Sequence, residues 1–127
     1  MAYGIKRTVM LPFEAAVAKV KDELAKEGFG ILTEVDVQKV LKQKLHLEHP
    51  KYVILGACNP KLGHDALHKD RLMGLFMPCN VIVYDEKGKT VIATQEPTKF
   101  AELLENDELN ATLTGAETLL RKAIENV

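Results

Sequence analysis

The chain has 127 residues, 46% of them hydrophobic and 28% charged, which is the size and balance of one folded domain and excludes a disordered chain. Lys and Arg total 17 against 18 for Asp and Glu, a net charge of -1, so no long-range field draws it to nucleic acid or to an anionic membrane. Apolar runs fall far short of the ~20 residues of a membrane helix, and two cysteines are too few for a small secreted scaffold.

The N-terminus carries no apolar h-region, which predicts no signal peptide. The expectation is a cytoplasmic protein with free thiols, folding as a single domain over residues 1–127. Trp is absent and aromatics are 6%, which leaves little for a base-stacking platform.

The alternation of residues 3–10 predicts a first strand, with Tyr3, Ile5 and Val9 on one face and Lys6 and Thr8 on the other. Pro12 opens a helix whose stripe is Phe13, Val17, Val20 and Leu24. Gly28 closes it from the left-handed region, and Phe29 folds back on the last turn. Residues 30–35 predict a second strand. Asp36 is an N-cap for a helix over 37–45 that carries Val37, Val40, Leu41 and Leu45.

Residues 51–58, KYVILGAC, are nearly all apolar. They predict a central strand, either covered on both faces or covered on one and buried in an interface on the other. Asn59-Pro60 supplies N-cap and first position of a short helix through residue 69. Residues 71–77, RLMGLFM, fit no single period. Residues 80–85 and 89–94 predict a hairpin around Glu86-Lys87-Gly88. Pro97 begins a helix through Leu104. The last helix, over 108–126, buries Leu109, Leu113, Ala116, Leu120, Ala123 and Val127. Gly115 inside it suggests close approach to the sheet. The order predicts an α+β fold: a mostly antiparallel or mixed, curved sheet with helices packed on one face, among them a long C-terminal helix. A doubly wound α/β fold is the alternative.

The chemistry-bearing residues fall in two matched settings, Ala57-Cys58-Asn59-Pro60 at a strand end and Pro78-Cys79-Asn80-Val81 at a strand start. If those strands are antiparallel neighbours, the two Cys-Asn pairs meet at one rim; if parallel, they lie at opposite ends. Cys58 also stands one residue before a capped helix, where free N–H groups favour a thiolate. Against this stands plain packing, since free cysteine is among the most buried residue types. His64 and His68 share a helix face and complete C-x5-H-x3-H-x10-C, a ligand set zinc accepts although the spacing matches no known finger; two solvated histidines are the simpler account. His46 and His49 read as surface residues. Glu34 and Asp36 fall on one side of their strand, as an acid–base pair or as an exposed strand end and a cap. Met73, Leu75, Phe76 and Met77 are core, a pocket wall or a subunit interface. No G-x-S-x-G, P-loop, G-x-G-x-x-G or C-x-x-C occurs.

The segments GFGILTEVDV (28–37), YVILGACNP (52–60) and LMGLFMPCNVIVYD (72–85) resemble domain-of-unknown-function family 302, an uncharacterised bacterial and archaeal family, in the same order along nearly the whole chain. Cys58-Asn59-Pro60 and Pro78-Cys79-Asn80 carry the resemblance; His64 and His68 are not part of it. It implies a compact α+β domain with a curved antiparallel sheet under a long C-terminal helix, and a homodimer. It implies no activity. Three functions remain open. One is a module that binds a small molecule or a metal such as zinc at Cys58, Asn59, Cys79 and Asn80. Another is a thiol-dependent enzyme or redox sensor, with Cys58 attacking and Cys79 resolving. The third is a structural dimer whose cysteines only pack.

Overall fold

The computed structural model describes residues 4–127, so the place expected for Tyr3 lies outside the described residues. Five strands form one sheet: β1 (Gly4–Val9), β2 (Gly30–Asp36), β3 (Tyr52–Cys58), β4 (Cys79–Glu86) and β5 (Lys89–Gln95). Their spatial order is β1-β5-β4-β3-β2, and every pairing is antiparallel. The doubly wound alternative therefore falls. Strands β2 to β5 are a meander, and β1 joins its far edge. The chain must then cross the whole sheet between β1 and β2, and helix α1 (Phe13–Lys26) makes that crossing.

Helix α1 ends as its glycine requires. Gly28 has φ +86; its N–H bonds to the Ala25 carbonyl at 3.0 Å, and the Phe29 N–H to the Leu24 carbonyl at 2.9 Å. This pair of backward bonds is the Schellman arrangement, and it tucks Phe29 into the core. Helix α2 (Val37–Leu45) starts where Asp36 accepts from the Lys39 N–H at 3.0 Å. Its apolar stripe is only partly covered: Val37 and Leu41 are half-buried, while Val40 and Leu45 are exposed.

The core lies between one sheet face and two helices. Val53, Leu55, Ala57, Val81, Val83 and Ile92 meet Val20 and Leu24 of α1 and Leu120, Ala123 and Ile124 of α5 (Asn110–Glu125). Arg7 of β1 donates to the carbonyls of Ile124 and Glu125, placing a cation at the negative end of the α5 dipole. On the opposite face Tyr52, Ile54, Ile82 and Tyr84 are only half-buried. Strand β3 is thus covered on one side alone and sits next to the sheet edge, which corrects the alternative of a strand covered on both. At Gly56, a Cβ would collide with Thr33 Oγ1 and come 2.8 Å from Pro78 Cγ, so only glycine fits.

The remaining elements are α3 (Pro60–Lys69), a 3₁₀ turn (Arg71–Phe76), and α4 (Thr98–Leu104). A second 3₁₀ turn (Asp107–Leu109) leads into α5. The period of RLMGLFM was unreadable because a 3₁₀ turn eclipses i and i+3 instead of forming an α stripe. The β4–β5 hairpin closes through Lys87 (φ +53) and Gly88 (φ +84), a two-residue turn with both central residues left-handed. Gly115 does not approach the sheet: a Cβ there would meet only Leu62 Cδ2, at 3.8 Å. No helix among the described residues is long and apolar enough to cross a membrane.

Candidate functional site

Strands β3 and β4 run antiparallel with Ala57 opposite Cys79. Cys58 is the next residue along β3, so the two thiol-bearing dipeptides meet at one rim of the sheet. Asn59 caps α3 there: its side-chain oxygen accepts from the Leu62 N–H at 3.3 Å, and its amide donates to the Glu27 carbonyl at 3.4 Å. Pro60 follows at the first helical position, where no N–H is needed.

Cys58 and Cys79 line one cavity of about 50 Å³. It lies between the sheet rim, α3, the first 3₁₀ turn, α4 and α5, with Leu62, Met73, Met77, Phe100 and Leu113 among its walls. This is the seam between the main core and a second cluster built on Ala66, Met73, Leu109 and Leu113. A buried water needs ~10–15 Å³, so the space holds a few waters or a ligand of that size. No buried side-chain nitrogen or oxygen among the described residues lacks a hydrogen-bond partner. The cavity walls are mostly sulfur and apolar surface, with the neutral side chains of Asn59, Gln95 and Thr112 among them.

Burial pushes the Cys79 thiol up to about 11; the Gln95 side chain partly offsets this, and Cys58 nearby adds to it. Cys79 thus stays a protonated thiol at neutral pH. At the cavity wall, Thr112 donates from Oγ1 to Asp65 Oδ2 and accepts from Lys69 Nζ at 3.0 Å, while Lys69 Nζ lies 2.9 Å from Asp65. The Thr112 bond, with Lys69 behind it, holds the Asp65 carboxyl below its usual range. The same three side chains tie α3 to α5.

Of the four residues expected at the rim, Cys58, Asn59 and Cys79 line this cavity. Asn80 does not: it borders a shallower depression on the opposite face, with Ile82 and Tyr84. The alternation of β4 sends Cys79 and Asn80 to opposite faces. The Asn59 amide already serves two helix ends. His64 and His68 stand with ring centroids 6.4 Å apart and do not line the cavity. Among the described residues no three His, Cys, Asp or Glu side chains form a metal-holding group, so the set Cys58, Cys79, His64 and His68 is not assembled.

Glu34 and Asp36 do share a face, opposite Leu55 and Val53. Glu34 pairs with Lys21 at 3.1 Å and Asp36 caps α2, so both are accounted for structurally. His46 is exposed, and His49 sets its ring edge-on to Tyr52 at 6.3 Å. The Met-rich segment divides: Met73, Phe76 and Met77 face the second cluster, while Leu75 is exposed. Sequence inspection missed Gly63, Gln95, Thr112 and Ala116 in the walls. Their one trace in the sequence is small residues, Gly63 and Ala66 of α3 and Thr112 and Ala116 of α5, and that trace points to a space only once the two helices are known to face each other.

The family model described as Domain of unknown function DUF302 matches residues 5–127. A crystal structure of an uncharacterised conserved DUF302 protein from Bacillus stearothermophilus superposes with a TM-score of 0.92 at 27% identity, over 98% of each chain. No curated protein matches the chain.

Proposed function

This chain belongs to the DUF302 family, a domain of unknown function, and from that premise we propose that it is a cytosolic binding module whose ligand enters the cavity beside Cys58 and Cys79. The observation that supports this reading is the convergence of both thiols on one apolar space that the side chains do not fill. Its size restricts the ligand to a small molecule or an ion. The high Cys79 value weighs against an exchange pair in which this thiol reacts as a thiolate. The test is labelling of folded, reduced protein with methyl methanethiosulfonate, a small neutral thiol reagent, beside its charged sulfonatoethyl analogue. The neutral reagent is expected to modify Cys58 faster than the chain unfolds, with Cys79 slower because its thiol stays protonated, and the charged reagent to lag. Modification of both thiols only at the rate of global unfolding overturns the reading and leaves cysteines that only pack.

A homodimer is proposed as well, through the half-exposed sheet face carrying Tyr52, Ile54, Ile82 and Tyr84, with Val35 beside it. The exposed Val40 and Leu45 of α2 favour it. Sedimentation of the wild type and of Ile82→Lys tests it: the wild type is expected as a dimer and the variant as a folded monomer, whereas a monomeric wild type contradicts the proposal.

A further inference from the structure

The cavity gathers four of the five sulfur-bearing side chains among the described residues. Cys58, Cys79, Met73 and Met77 line it, and the one other sulfur-bearing side chain among the described residues, Met10, is 91% exposed. No Asp, Glu, His or Lys lines the space; its polar walls are the neutral groups of Asn59, Gln95 and Thr112. Two of the sulfur residues are pressed together by a missing side chain. A Cβ on Gly63 would lie 3.1 Å from Met77 Cε and 3.2 Å from Cys58 Sγ, so the bare α3 backbone leaves room for the methyl end of Met77 and the Cys58 thiol side by side. Cys79 stands across the strand pair, opposite Ala57.

This donor set selects strongly among cations. Calcium and magnesium need oxygen ligands, and no carboxylate is present. Structural zinc takes four nitrogen or sulfur anionic or imidazole ligands, and the histidines that would complete that count lie outside. Thiol and thioether sulfur together suit a soft, monovalent ion. An apolar surround also favours a site of no net charge, which one thiolate, one monovalent cation and neutral thioethers provide.

We propose that the cavity is a site for one copper(I) ion, held by the sulfurs of Cys58 and Cys79 with the Met77 thioether as a further donor. This rests on the binding-module reading and names its ligand. On binding, the Cys58 S–H bond gives way to an S–Cu bond and its proton leaves to solvent, while Cys79 keeps its proton and donates as a neutral thiol; copper stays in the +1 state and nothing is oxidised or reduced.

The experiment uses the full, reduced chain under anaerobic conditions, loaded with copper(I) and challenged with bathocuproine disulfonate. One copper is expected to stay with each chain, and X-ray absorption at the copper edge is expected to show sulfur neighbours only. Cys58→Ser and Cys79→Ser each lose the ion. Met77→Leu, which nearly conserves volume, weakens retention while keeping the melting temperature, so a loss cannot be laid to unfolding. His64→Ala and His68→Ala change nothing. No copper retained by the wild type, equal retention by a Cys58→Ser/Cys79→Ser variant, or nitrogen neighbours that vanish with the histidines would each overturn the assignment. Thiols that react with the neutral reagent in a chain that keeps no copper overturn this assignment alone; thiols closed to the reagent remove the binding module as well.

Discussion

The Asn59 side chain joins two helix ends: its amide donates to the Glu27 carbonyl at the close of α1 while its oxygen caps the Leu62 N–H of α3. The rim that carries Cys58 is thereby fixed to the end of α1. Replacing Asn59 with Ala removes both bonds and is expected to cost about 1–2 kcal/mol. Asn59→Asp keeps the cap acceptor, loses the donor to Glu27, and should cost less. Urea unfolding of the two variants checks the order; equal losses would mean that the Leu62 cap contributes nothing.

The same substitution at two glycines should act in opposite directions. Gly28 sits at φ +86, and a Cβ there would lie 3.0 Å from Asn59 Nδ2. Gly28→Ala is expected to destabilise by about 1–2 kcal/mol. Gly115 lies inside α5 with space around it, and Gly115→Ala is expected to stabilise by about 0.5–1 kcal/mol through helix propensity. Denaturant midpoints measured side by side decide it; a destabilising Gly115→Ala would show a close approach that the fold does not contain.

Cys79 gives the chain an alkaline signature. Its folded value is raised to about 11, above an ordinary 9.0, so between those two pH values the unfolded chain sheds a proton that the folded chain keeps. Stability must then be whole below about pH 9 and fall as pH climbs toward 11, by up to ~2.5 kcal/mol from this group. Lysines and tyrosines titrate in the same window, so the readout is the difference between wild type and Cys79→Ala. The variant should show the shallower decline; parallel curves would contradict the burial of this thiol.

Much of the architecture was legible because the signals were local. The Gly28-Phe29 closure, the Asp36 and Asn59 caps and the Lys87-Gly88 turn each depend on a few adjacent residues, and each stands where the sequence puts it. The meeting of Cys58 with Cys79 was conditional on strand direction, and the late hairpin favoured the antiparallel case that is observed. Asn80 does not follow Cys79 to the cavity, because period 2 along β4 sends the two side chains to opposite faces. The walls supplied by Gly63, Thr112 and Ala116 were not legible, since they depend on how α3 and α5 pack across some fifty residues of sequence.

The most direct test of the cavity is to fill it. Ala116 stands in its wall, and Ala116→Val adds two methyl groups there without adding charge. Methyl methanethiosulfonate labelling of Cys58 and Cys79 is to be followed in wild type and variant, each rate divided by that protein's own rate of global unfolding. The account predicts that the normalised rate falls in the variant, because the reagent's path is occupied. An unchanged normalised rate would contradict it, since the thiols would then be reached by some route other than this space.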